Sequence, residues 1–175
     1  MIAHVRVAVA TVGFVLAVAV ALVIERSLLA PLPLAVPDLV ALLVAAGAMA
    51  FGARVGAGWG LLAGLLCDLA PPASGVVGAW ALAYVCCGFG LGLMWERRWG
   101  VAPRGWYAAA VAAVAVGATV VHALVLVLFG EAAVWRASTL PAVGLTALYG
   151  VVLGLAVGPQ LERLLAGWPA RRASR

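Results

Sequence analysis

The sequence predicts an all-α integral membrane protein that folds as a bundle of six transmembrane helices. Of its 175 residues, 67% are hydrophobic and only 10% are charged, whereas a soluble domain is about half apolar. The mean hydropathy is +1.19, and several apolar runs approach the ~20 residues that cross ~30 Å of hydrocarbon. We therefore expect one membrane domain over residues 1–160 and a basic cytoplasmic tail over residues 161–175.

Proline, glycine and charged residues divide the apolar sequence into six segments, because proline cannot continue a helix but suits its first turn. Two of these segments are short for a bilayer crossing, which leaves open a pair of short spans or a re-entrant hairpin. Both alternatives return the chain to the same side. The predicted spans cover residues 5–24, 38–51, 56–68, 75–95, 106–130 and 140–158, of which 38–51 and 56–68 are the two short ones.

The arginines orient these spans, since basic loop residues collect on the cytoplasmic side. With the N-terminus inside, only Arg26 and Arg136 of the eleven arginines lie outside. We therefore expect both termini to be cytoplasmic. The tryptophans are expected near the interfaces, with Trp59 beside Arg54 and Trp80 as an exception. Ala19-Val20-Ala21 resembles a signal-peptide cleavage site, but the apolar run is too long for a signal core, so we expect an uncleaved first helix.

Several function classes find little support in the residues. Cys67, Cys86 and Cys87 lie inside apolar stretches without a ligand spacing, so we expect no metal and no cofactor. Catalytic and phosphate-binding motifs are absent from the sequence, so we expect no enzyme. The arginines are better explained by membrane orientation than by nucleic-acid binding. His122 lies deep in the fifth span, where an ionisable group is either a functional candidate or a neutral helix contact.

Glycines recur four residues apart in three segments, a spacing that lets another backbone approach a helix closely. Two interpretations are open, namely packing within this bundle and docking of a partner's membrane helix. The glycines are Gly56, Gly60 and Gly64, then Gly88 and Gly92, and finally Gly150, Gly154 and Gly158.

Two aspartates are expected at the same membrane face. Asp38 follows Pro37 at the start of a segment, where a carboxylate meets the free amides of a helix N-terminus. Asp68 ends the next segment, where the helix dipole is unfavourable and the carboxylate needs a donor, either Arg26 or another group. For Asp68, a structural role and a partner-binding role are both open.

From Pro37 to Gly92 the sequence resembles the MreD family of rod shape-determining proteins. The resemblance lies in Pro37-Asp38-Leu39 and in the run from Gly60 through Gly64 to Asp68-Leu69, followed by a turn with Gly78. It implies a non-enzymatic scaffold of the cell-elongation complex in the bacterial inner membrane, which supports peptidoglycan synthesis and cell shape. The matching candidate partner-binding residues are Pro37, Asp38, Gly60, Gly64, Asp68 and Gly78.

The partners that this resemblance implies are a bitopic MreC-like protein and, beside it, MreB, RodA and a class B penicillin-binding protein. Membrane lipids and a homodimer are also open as partners. The family's fold is similar to that of the substrate-binding subunits of energy-coupling-factor vitamin transporters, which are also six-helix bundles. A transport subunit of that kind, with the outer-face acids as substrate ligands, is therefore the alternative function.

Overall fold

The computed structural model describes residues 2–29, 37–70, 76–97, 103–130 and 139–166. Within these residues the chain is helical and forms no strand, which confirms the all-α prediction. The loop residues Pro31, Pro33, Trp135 and Arg136, and the end of the tail, lie outside the described residues. The helices are α1 Ile2–Ile24, α2 Leu39–Phe51, α3 Ala53–Leu69, α4 Ala79–Glu96, α5 Arg104–Leu128 and α6 Thr139–Ala166.

Among the described residues, four apolar stretches are long enough to cross a membrane. They are Ala8–Leu29, Ala79–Glu96, Gly105–Leu128 and Pro141–Gly158. The first includes the π-helical segment Glu25–Leu29, which continues α1 beyond the predicted end of the first span. At ~1.5 Å per residue, the 13-residue α2 is about 20 Å long and the 17-residue α3 about 25 Å. Both are shorter than the ~30 Å hydrocarbon core. The four longer apolar stretches indicate a membrane protein with four candidate spans among the described residues.

Consecutive helices run in alternating directions, which gives the bundle two distinct ends. Gly52 joins α2 to α3 with φ 84°, a conformation that glycine adopts readily. The contacts place the start of α2, the end of α3 and the start of α4 together at one end, named here the aspartate end. The opposite end, named the arginine end, holds the exposed side chains of Arg54 and Arg97.

The core lies between α1, α2, α3, α4 and α5, and its largest fully buried side chains are valines. Trp59 belongs to this core, so the prediction that it lies at the interface is wrong. Its ring stacks on Phe14 with centroids 4.3 Å apart, and its Nε1 donates to the Thr11 hydroxyl over 3.1 Å. The absence of a side chain at Gly47 leaves the space that the ring fills. A tryptophan with its polar atom paired is stable in a core.

Candidate functional site

The glycine face of α3 packs on α4 of the same chain. A Cβ at Gly56 would lie 2.6 Å from the carbonyl oxygen of Gly88, too close for any side chain. At Gly60 and Gly64 the nearest atoms belong to the backbone of α4, at Tyr84 and Ala81 respectively. Small residues therefore let the two backbones meet along most of their length.

These contacts favour packing within the bundle, the first of the two interpretations of the glycine spacing. Gly60 and Gly64 are buried under α4, so neither offers a free groove to a partner's helix. The same arrangement recurs in α6, where Gly150 and Gly154 contact α5 at Ala112 and Ala108. Gly60 and Gly64, which were predicted to bind a partner, therefore hold α3 against α4 within the bundle.

Asp68 closes the aspartate end of the α3–α4 pair. Its carboxylate accepts hydrogen bonds from the backbone amides of Gly78, Trp80 and Ala81, over 3.0, 3.2 and 3.1 Å. These amides lie at the start of α4, where helix geometry leaves N–H groups without a partner and the dipole is positive. The side chain is only 9% exposed. The donor that Asp68 was expected to need is thus the backbone of α4.

Glu96 makes the corresponding contact at the arginine end. It lies at the end of α4, and its Oε1 accepts a hydrogen bond from the Ala53 amide at the start of α3 over 2.7 Å. The antiparallel helices α3 and α4 therefore cap each other, each with a carboxylate from its last turn. A side chain at Gly52 would collide with the Glu96 carboxylate, which is a second reason for glycine at this turn.

Asp38 is the N-cap of α2, as the sequence predicted. Its Oδ1 accepts from the Ala41 amide over 2.7 Å, and the Tyr84 hydroxyl donates to both carboxylate oxygens over 2.9 and 3.0 Å. Glu25 accepts from the Leu39 amide, so it adds a second carboxylate at the same helix start. Asp38 therefore connects α2 to α4, and Glu25 connects the end of α1 to α2.

The two remaining predicted site residues frame these carboxylates. Gly78 is the N-cap of α4 with φ 96°, in the left-handed region that favours glycine, and this conformation aims its amide at Asp68. Pro37 is half-buried directly before Asp38. The aspartate end thus brings together Pro37, Asp38, Asp68 and Gly78, while Gly60 and Gly64 lie along the α3–α4 interface.

Sequence reasoning missed three residues of this arrangement. Tyr84 gave no motif signal, although a tyrosine in an apolar span needs a partner for its hydroxyl. Glu25 and Glu96 were assigned to loops, because charged residues usually mark the ends of spans.

His122 stacks on Trp80 of α4 with ring centroids 4.0 Å apart. This contact agrees with the helix-contact interpretation of His122 and accounts for a tryptophan inside the span.

Comparison of the chain with protein-family models, with curated proteins and with solved structures found no match. The fold and the site define the class, an all-helical membrane protein in which motif residues cap and pack the helices. A more specific function therefore has to be inferred from the Pro37–Gly78 motif and from the contacts of its residues.

Proposed function

We propose that the protein is a non-enzymatic membrane scaffold of the bacterial cell-elongation complex, which binds an MreC-like bitopic partner. Support comes from the resemblance of the Pro37–Gly78 motif to the MreD family. The observation that carries the proposal is that Asp38 and Asp68 direct their oxygens at helix amides and at Tyr84. A motif whose polar atoms fix helix positions suits a protein that presents a rigid surface to others.

In this proposal the chain crosses the inner membrane six times and has both termini in the cytoplasm. The aspartate end faces outward, and the exposed Arg54 and Arg97 lie at the cytoplasmic end, in agreement with the positive-inside rule. The short helices α2 and α3 then cross as a pair joined at Gly52, with some local thinning of the bilayer. This orientation places the arginine end beside cytoplasmic MreB and the aspartate end beside the extracytoplasmic part of the partner.

The outward face of α1 is the surface that we assign to the partner's membrane helix. The glycine face of α3 is covered by α4, so it is not available. Nothing lies within 4 Å of a Cβ built at Gly13, which leaves room for close approach of another backbone. Large exposed apolar side chains surround this glycine on the same helix, namely Val9, Val12, Leu16, Val20 and Val23.

The alternative is a substrate-binding subunit of an energy-coupling-factor-type vitamin transporter. One observation favours it, since acidic and aromatic side chains converge at the aspartate end, where such a subunit would take up its substrate. These side chains are Glu25, Asp38, Asp68, Trp80 and Tyr84. Against it, the carboxylates already accept hydrogen bonds within the chain, so a substrate would have to displace them.

The experiment that separates the two functions is a pull-down of the tagged protein from its own host in mild detergent, followed by mass spectrometry. The scaffold predicts recovery of a bitopic MreC-like protein together with wall synthases. Recovery of a multispanning coupling protein with two ATPases would contradict it and would establish the transport subunit.

Two glycine variants test the assigned surface in the same pull-down. Gly13→Leu should reduce recovery of the partner while the protein remains folded, because a Cβ at this exposed position meets no atom of the chain within 4 Å. Gly144→Leu on α6, where a Cβ also meets nothing within 4 Å, is the matched control. Equal recovery with both variants would remove α1 as the docking face.

A further inference from the structure

A half-open apolar groove lies between α4 and α5 at the arginine end. Its volume is about 530 Å³. Cys87, Leu91 and Met94 line it from α4, and Ala113 and Trp106 line it from α5. Among the described side chains that line it, one is charged, namely Arg97, which is exposed. The groove is open on the surface of the protein, where Met94 and Trp106 of its lining are exposed. Both helices are candidate membrane spans, so lipid can reach this surface.

The groove has the depth of one leaflet. Cys87 and Arg97 are ten residues apart on one helix, which corresponds to ~15 Å at 1.5 Å per residue. Half of the ~30 Å hydrocarbon core is also about 15 Å. Trp95 and Trp106 line the groove close to Arg97, and tryptophan prefers the level of the lipid headgroups. With Arg97 at the headgroup level, the groove would therefore reach about the middle of the membrane.

We propose that this groove binds one acyl chain of an anionic phospholipid, whose phosphate contacts Arg97. An apolar channel with the Arg97 guanidinium at its headgroup end is complementary to a lipid that carries a negative phosphate group. One acyl chain with its phosphate fits this lining, because the groove is apolar along its length and ends beside the Arg97 guanidinium. This inference does not depend on the scaffold function.

Native mass spectrometry of the full-length, delipidated protein in detergent tests the proposal. The probes are palmitoyl-oleoyl phosphatidylglycerol and phosphatidylcholine with the same chains, so that only the headgroup differs. We expect a single phosphatidylglycerol adduct at concentrations where phosphatidylcholine gives none. Arg97→Gln should weaken this adduct about fivefold, since one arginine at the membrane surface contributes about that factor toward an anionic lipid.

A second variant fills the groove. Ala113 is exposed and lines the groove, so Ala113→Phe should abolish the adduct without disturbing the buried core. Each variant has a matched control that should bind like the wild type. Arg54→Gln changes an exposed arginine at the same end that does not line the groove, and Ala19→Phe adds a ring on the exposed surface of α1. If Ala113→Phe does not fold, the comparison of Arg97→Gln with Arg54→Gln decides alone.

Two outcomes would overturn the proposal. Equal binding of both lipids, unchanged by Arg97→Gln, would mean that the groove holds no headgroup-specific site. A second copy of the chain that is retained by the wild type and lost with Ala113→Phe would mean that the groove is a dimer interface.

Discussion

Replacement of Asp68 by alanine removes the acceptor of three amides at the start of α4. Loss of an ordinary helix cap costs about 0.5–2 kcal/mol, and a hydrogen bond to a charged group contributes about 1.5–3 kcal/mol. The three bonds share one carboxylate, so their contributions do not add in full. We expect Asp68→Ala to lower the free energy of unfolding by about 3 kcal/mol, with loss of protein abundance in cells.

Thermal melting of the detergent-purified protein measures this effect. For a chain of this size, 1 kcal/mol corresponds to roughly 2–4 °C in Tm, so a decrease of roughly 6–12 °C is expected. Thr146→Ala is the control, because its hydroxyl bonds only to the Ala142 carbonyl of its own helix. A Tm within about 2 °C of the wild type, with normal abundance but defective rod-shaped growth, would refute the capping role and favour a direct role of Asp68 in partner binding.

Three further substitutions follow from the same contacts and use the same melting assay. Gly64→Leu should prevent formation of a monodisperse protein, since its side chain meets the backbone of α4 at Ala81; a folded variant would mean that α3 and α4 can separate at little cost. Tyr84→Phe should destabilise the protein by about 2 kcal/mol, because Asp38 loses its hydroxyl donor; no change would mean that this hydrogen bond contributes nothing. Glu96→Gln should cost only about 0.5–1 kcal/mol, since one amide of α3 loses a charged acceptor at an exposed position; a loss as large as that of Asp68→Ala would contradict this ranking.

The helices could be predicted from the sequence because apolar runs and prolines mark them directly. The predicted segment 38–51 differs from α2 by one residue, and 106–130 differs from α5 by two at each end. The end of α6 was harder to predict. Its apolar stretch ends at Gly158, as expected, but the helix continues through Pro159 to Ala166. Proline interrupts a helix less severely where neighbouring groups satisfy the freed carbonyl.

The contacts of the site were less predictable, because they join residues far apart in the sequence. The capping role of Asp38 depends on a residue three positions away and could be predicted. The contacts of Asp68 with Ala81 and of Glu96 with Ala53 depend on how α3 and α4 pack. Glycine spacing indicates a close helix contact without identifying which helix supplies it, so packing and docking could not be separated.

Membrane orientation is the central claim on which the scaffold function depends, and cysteine accessibility tests it directly. In a chain whose native cysteines are replaced by alanine, Val77→Cys marks the aspartate end and Arg54→Cys marks the arginine end, both at exposed positions. A membrane-impermeant maleimide should label Val77→Cys in spheroplasts and Arg54→Cys only after the membrane is opened. Labelling of Arg54→Cys from outside, with Val77→Cys protected, would contradict the account.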